Sequence, residues 1–218
     1  DRILVITMNR PEARNALNTR MMEELRDCFS GFYVDPNAAA CLVLTGAAGG
    51  FCSGADLKER KGMTDAAWAR QHAIIEQMVR ALTDCPVPII AAVNGAAYAG
   101  GMELALGCDF IYAAQSARFA LTEVTLGIMP GAAGTQNLPR AVGVRRAKEI
   151  ILTGQPFTAA EADAWGMVNK VVPDAELMDA VLATARRIAA NAPVSVRQAK
   201  KAIDKGVELD RAAGYAFE

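Results

Sequence analysis

Histidine is nearly absent from this chain: His72 is the only one in 218 residues. One imidazole cannot build a His-based metal site, and its isolation weighs against a Ser-His-Asp triad. Net charge is also lacking, at −1, so no overall field draws the protein to nucleic acid or to anionic lipid. Cysteine pairs are missing: Cys28, Cys41, Cys52, Cys85 and Cys108 are odd in number and form no C-x-x-C. That excludes a zinc ribbon or a disulfide framework and reads as reduced thiols in an intracellular protein. Aromatic residues reach only 6% of a chain that is 52% hydrophobic, so alanine-rich, close helix packing has to fill the core. The phosphate and nucleophile signatures fail as well. There is no G-x-x-x-x-G-K-[ST], no G-x-G-x-x-G after a strand, and Ser53 lacks the glycine two residues on that a nucleophile elbow needs.

Charge is missing most conspicuously between Asp84 and Arg118, where only Glu103 and Asp109 carry any. The eighteen uncharged residues Cys85–Met102 approach the length of a membrane span. Pro86, Pro88, Asn94, Gly95, Gly100 and Gly101 argue against one, so no membrane association is expected. No signal peptide is visible. The chain opens at Asp1 inside a strand run, not at methionine, which fits a cytoplasmic protein or a mitochondrial-matrix one whose transit segment has been lost.

What is present is a single carboxylate in an apolar run. Glu103 must be buried, paired or used, because an unpaired buried charge is costly. Along the chain, strand patterns fall at Arg2–Met8, Cys41–Thr45, Pro88–Val93, Asp109–Ala113, Phe119–Thr122 and Val168–Val172. Helical spacing follows Asn18 or Thr19 as N-cap, with Met21, Met22, Leu25, Cys28, Phe29 and Phe32 as its stripe. A second helix, capped by Thr64, runs to about Leu82 with His72 half-buried on it. Lys58 to Gly62 reads as a charged, mobile loop. Further helices are expected at Gln136–Val142, Arg145–Thr153, Glu176–Ala189, Val194–Lys205 and from Leu209, with a short one capped by Thr158. The fold class is α/β, with helices dominating the C-terminal part.

Two of the apolar strands end in glycine-rich turns, Gly49–Ala55 and Gly95–Gly101. Each turn can offer a backbone N–H to one oxygen atom, with a following helix adding partial positive charge. The same pattern also fits two ordinary strand–helix connections. Glu123, between Phe119-Ala-Leu and Val124-Thr-Leu, is the second carboxylate. Two nearby carboxyls in a dry site push their pKa values apart, so one stays ionised while the other holds a proton.

In order and spacing, Asn9-Arg-Pro with Arg14-Asn-Ala-Leu17, Phe51 to Lys58, Pro88 to Gly95, Gly100-Gly-Met-Glu-Leu-Ala-Leu106, Cys108-Asp109, Thr122-Glu123 and Gly127 to Gln136 resemble the enoyl-CoA hydratase/isomerase (crotonase) superfamily. The resemblance implies a crotonase-like spiral of ββα units over residues 1–172. It implies a helical trimerisation region over 173–218, incomplete at its end, and a homotrimer or dimer of trimers. It implies acyl-CoA thioesters as substrates, with coenzyme A carried by the substrate and no separate cofactor or metal. By motif position Ala55 and Gly100 are the expected oxyanion-hole donors, and Glu103 and Glu123 the acid/base pair. Lys58, Ala55, Asp56, Leu57 and Gly131 are the expected CoA contacts. The implied reaction is hydration of trans-2-enoyl-CoA to 3-hydroxyacyl-CoA, as in fatty-acid β-oxidation. The alternative is another reaction of this type, such as Δ3-Δ2-enoyl-CoA isomerisation.

Departures from the family pattern are Ala99 where a glycine is usual, Ala133 where a glycine is usual, and Asn137 where arginine is usual. Ala133 is expected to narrow the pocket. RNA binding is not favoured, because Arg20 and Arg26 on the first helix are countered by Glu23, Glu24 and Asp27. The basic set Arg186, Arg187, Arg197, Lys200, Lys201 and Lys205 reads as a solvated helix face or a CoA approach.

Overall fold

The computed structural model describes residues 2–217. Its first strand, β1 (Ile3–Met8), leads through a 3-10 turn at Pro11–Ala13 into α1 (Thr19–Val34). Asn18 caps that helix by accepting a hydrogen bond from Met21 N at 2.9 Å. Met21, Met22, Leu25, Phe29 and Phe32 are its buried face, as the spacing predicts. β2 (Cys41–Gly46) follows, then a glycine-rich loop, α2 (Leu57–Arg60) and α3 (Asp65–Thr83). β3 (Ile89–Val93) and β4 (Ala96–Tyr98) lead into α4 (Gly100–Gly107). β5 (Phe110–Ala114) and β6 (Arg118–Ala120) come next, then a 3-10 turn at Glu123–Leu126.

The remainder is α5 (Gly134–Val142), α6 (Val144–Thr153), β7 (Phe157–Thr158), α7 (Ala159–Ala164) and β8 (Lys170–Val172), then α8 (Leu177–Ala189), α9 (Pro193–Gly206) and α10 (Arg211–Phe217).

Five strands form one parallel sheet in the order β1-β2-β3-β5-β8. β2 and β3 are buried at every residue and apolar but for Thr45, whose hydroxyl donates to Ala92 O, the signature of central strands covered on both faces. A second sheet, β4-β6-β7, pairs β4 with β6 in parallel and β6 with β7 antiparallel. α1 and α3 pack on each other, and α8 lies on β1, β2, β3 and β5, burying Leu177, Val181 and Ala185.

Two sequence expectations need correction here. Lys58 to Gly62 is not an unstructured loop: Asp56 Oδ1 accepts from Lys58 N and Glu59 N and starts a helical turn. The basic C-terminal helix is not wholly a solvated face either. Lys200 Nζ reaches Asp109 Oδ2 at 2.8 Å, and Arg197 donates to Pro36 O at 3.2 Å, so both fasten α9 to the sheet domain. Among the described residues no helix is long and apolar enough to cross a membrane, and all five cysteines are free thiols.

Candidate active site

Asn15 is where the site begins. It is buried, accepts from Arg10 N, and donates to Ala47 O and Gly50 O at 3.0 and 2.8 Å. These bonds tie the segment after β1 to the glycine-rich loop after β2. Leu17 then bridges Ala55 as in a parallel ladder: Leu17 N donates to Gly54 O and Asp56 N to Leu17 O. In that geometry Ala55 N–H points away from Leu17. Gly100 is the first residue of α4, so its N–H has no intrahelical acceptor. Neither N–H meets an acceptor among the described residues. Gly54 brings the two together: with φ +91°, a Cβ placed on it would lie 2.9 Å from Ala99 Cβ and 3.1 Å from Gly100 N. Any side chain there would force the two turns apart.

Ala99 itself has φ 49° and ψ −126°, a region essentially reserved for glycine. Ala133 is left-handed at φ 74°. The two alanines that depart from the family pattern thus both occupy conformations a glycine would adopt without strain. Ala133 caps the start of α5 and does not line the cavity, so the expected narrowing does not occur. Ala99 does line it.

Glu103 lies in the first turn of α4 and is 4% exposed. Its Oε1 accepts from Ala132 N and Gly134 N, both at 2.8 Å. Burial raises its pKa above the ordinary carboxylate range, and these two N–H groups offset part of that rise. Glu123 opens the 3-10 turn after β6 and is 6% exposed. Its Oε2 is buried with no hydrogen-bond partner. Burial therefore pushes its pKa up to about 7, with the Glu103 charge adding in the same direction. Glu103 is held by two N–H groups of another segment, whereas only Glu123's own backbone N–H opposes the rise in its pKa.

Both acids open into one cavity of about 590 Å³ with Ala55 and Gly100 on its wall. Apolar side chains from four elements complete it, among them Leu17, Met22, Ile75, Met78, Leu126 and Met129. Of the other expected contacts, Leu57 and Gly131 line the cavity, whereas Lys58 and Asp56 do not. Asp56 spends one oxygen on capping α2 and the other on Arg10 Nη2 at 2.9 Å. Lys58 is exposed beside it. Among the wall residues that sequence reasoning missed are Arg60, Trp68 and His72. His72 stacks on Trp68, ring centroids 5.1 Å apart. Nothing in the local sequence marks Arg60, which stands in a charged run; its bond to Gln71 shows it only after folding.

Comparison with known proteins places the chain in a family and a fold. The family model described as enoyl-CoA hydratase/isomerase matches residues 1–218. The short-chain-enoyl-CoA hydratase of Clostridium acetobutylicum is 41% identical over 218 residues, covering 100% of this chain and 83% of that one. The human mitochondrial enoyl-CoA hydratase domain-containing protein 2 is 44% identical over 224 residues, covering 99% and 75%. Among solved structures, an enoyl-CoA hydratase from Bacillus anthracis superposes with a TM-score of 0.96 at 42% identity, covering 99% of this chain and 84% of that chain. The crotonase fold and its characteristic sequence segments therefore coincide along the whole chain, which belongs to the enoyl-CoA hydratase/isomerase family.

Proposed function

We propose that the protein hydrates trans-2-enoyl-CoA thioesters to 3-hydroxyacyl-CoA. The observation that carries this reading is the unequal pair of buried carboxyls in one cavity: Glu103 Oε1 held by two N–H groups, Glu123 Oε2 held by none. An isomerase needs only one placed base, and here two are built.

The thioester oxygen accepts from Ala55 N–H and Gly100 N–H. Ionised Glu103 removes a proton from water as its oxygen bonds to the β-carbon. Electron density moves from the C=C bond into the thioester as an enolate, held by the two N–H groups at about 3–4 kcal/mol per donor in comparable sites. Protonated Glu123 delivers its proton to the α-carbon. Water is thereby added across the double bond, and the two carboxyls end with exchanged protonation, reset through solvent. Acid–base transfer of this kind contributes roughly 10²–10⁴-fold.

Coenzyme A arrives and leaves with the substrate, so the reaction calls for no separate cofactor. Lys58, with the backbone of Ala55, Asp56, Leu57 and Gly131, is the proposed approach for the CoA moiety. The same reading takes the active protein to be a homotrimer or dimer of trimers acting in the cytoplasm or mitochondrial matrix. The test is loss of the conjugated thioester's ultraviolet absorbance with crotonyl-CoA and longer trans-2-enoyl-CoA esters. Steady loss is expected for at least one chain length, and no change across the series overturns the hydratase reading.

A further inference from the structure

Apart from the two glutamates, the cavity wall carries one permanent charge, the guanidinium of Arg60. Its placement is built rather than incidental. Arg60 ends α2, and its Nε donates to Gln71 Oε1 at 2.9 Å. Gln71 is 3% exposed on α3 and has its own amide nitrogen committed, donating to Thr19 Oγ1 at 2.8 Å and to Glu59 Oε2 at 2.9 Å. Glu59 in turn accepts from Thr19 N at 2.9 Å. The buried Gln71 amide is thus fully committed, and its oxygen fixes one edge of the guanidinium.

The other edge is left over. No ion pair engages Arg60, and neither terminal nitrogen has an acceptor among the described residues. Burial lowers its pKa, the nearby Glu59 charge opposing, so the cation is partly stripped of water without direct neutralisation. Its terminal nitrogens are not among the buried unpartnered atoms and stay accessible to an incoming anion. The same cavity wall carries Trp68, His72 and Ile75 of α3. The neighbouring Lys58 and the Asp56 carboxylate lie outside the cavity.

Resting on the reading of this cavity as an acyl-CoA site, we propose that Arg60, held edge-on by Gln71, binds a carboxylate at the far end of the acyl chain. The preferred substrates are then CoA monothioesters of short unsaturated dicarboxylic acids. A guanidinium fork matches a carboxylate in a way an ammonium does not. In the same pocket a plain alkyl chain of similar length leaves the guanidinium unpaired.

The test is equilibrium binding of two saturated esters that cannot turn over, glutaryl-CoA and butyryl-CoA, measured by calorimetry. Wild type is expected to bind glutaryl-CoA about 10–100-fold more tightly, the range for a charge-assisted hydrogen bond in a partly dry site. Arg60→Met is expected to bring that ratio close to one, and Arg60→Lys to restore part of it. No preference in wild type overturns the proposal. So does an Arg60→Met protein in which both esters weaken by the same factor, which would make Arg60 a contact for the CoA phosphates or a support for the cavity. Because binding is read without chemistry, a protein that keeps the glutaryl preference but hydrates neither crotonyl-CoA nor glutaconyl-CoA would overturn the hydratase reading and leave this one standing.

Discussion

Replacing Glu123 by glutamine should make the protein more stable at alkaline pH while removing its activity. The cause is the missing partner of Oε2. In the folded protein the Glu123 pKa lies at about 7, against an ordinary value of 4.5. The folded state therefore holds this proton over a pH range where the unfolded chain has released it. Stability from the neutral carboxyl is fully present below about pH 4.5 and is lost as pH rises through about 7. The interval corresponds to roughly 3 kcal/mol at most, of which about 2 kcal/mol falls between pH 5.5 and pH 8.

Glutamine keeps the shape and does not titrate. Its own amide adds a constant offset, so the readout is the change with pH and not the absolute value. Thermal unfolding of both proteins at pH 5.5 and pH 8 should show the variant gaining on wild type by roughly 4–8 °C in Tm across that range, taking 2–4 °C per kcal/mol for a chain of this size. A Tm difference that does not move with pH would refute the claim that Glu123 is a buried acid near pKa 7. The same titration predicts that wild-type kcat/KM declines as pH rises through about 7, when the proton donor is lost.

Two backbone positions give independent checks. Ala99→Gly relieves φ 49° and ψ −126° and should raise the urea midpoint by the equivalent of about 1 kcal/mol; a lower midpoint would mean that the alanine methyl contributes more by packing than the backbone loses by strain. Gly134→Ala would place a Cβ 2.8 Å from Glu103 Oε1 and 3.0 Å from its Cγ, displacing the carboxylate from the N–H that holds it. Turnover is expected to fall about 10–100-fold with the fold intact by circular dichroism; full turnover would show that the Gly134 contact does not position the base.

The central strands were legible because Cys41–Leu44 and Ile89–Val93 are unbroken apolar runs, as a parallel strand covered on both faces requires. α1 and α3 were legible from their caps, Asn18 and Thr64, and from spacing. β4 was not: Ala96-Ala-Tyr98 is too short for a periodic signal, and its pairing with β6 spans more than twenty residues of sequence. α2 was hidden by its charge. Lys58, Glu59 and Arg60 look solvated in sequence, and only the three-dimensional placement of Gln71 shows that one of them faces inward. Glu103 stood out because its neighbours carry no charge, whereas nothing local distinguishes Glu123 from a surface residue; its orphaned oxygen exists only after folding. Family resemblance supplied Ala55 and Gly100, since a free backbone N–H leaves no mark on composition.

The division of labour between the two carboxyls is tested most directly by crotonyl-CoA hydration in wild type, Glu103→Gln and Glu123→Gln, followed by the loss of ultraviolet absorbance, with binding of a saturated CoA ester measured in parallel. Each substitution is expected to lower turnover about 100-fold or more while ester affinity changes little. Near-wild-type hydration by either variant would contradict the two-glutamate mechanism.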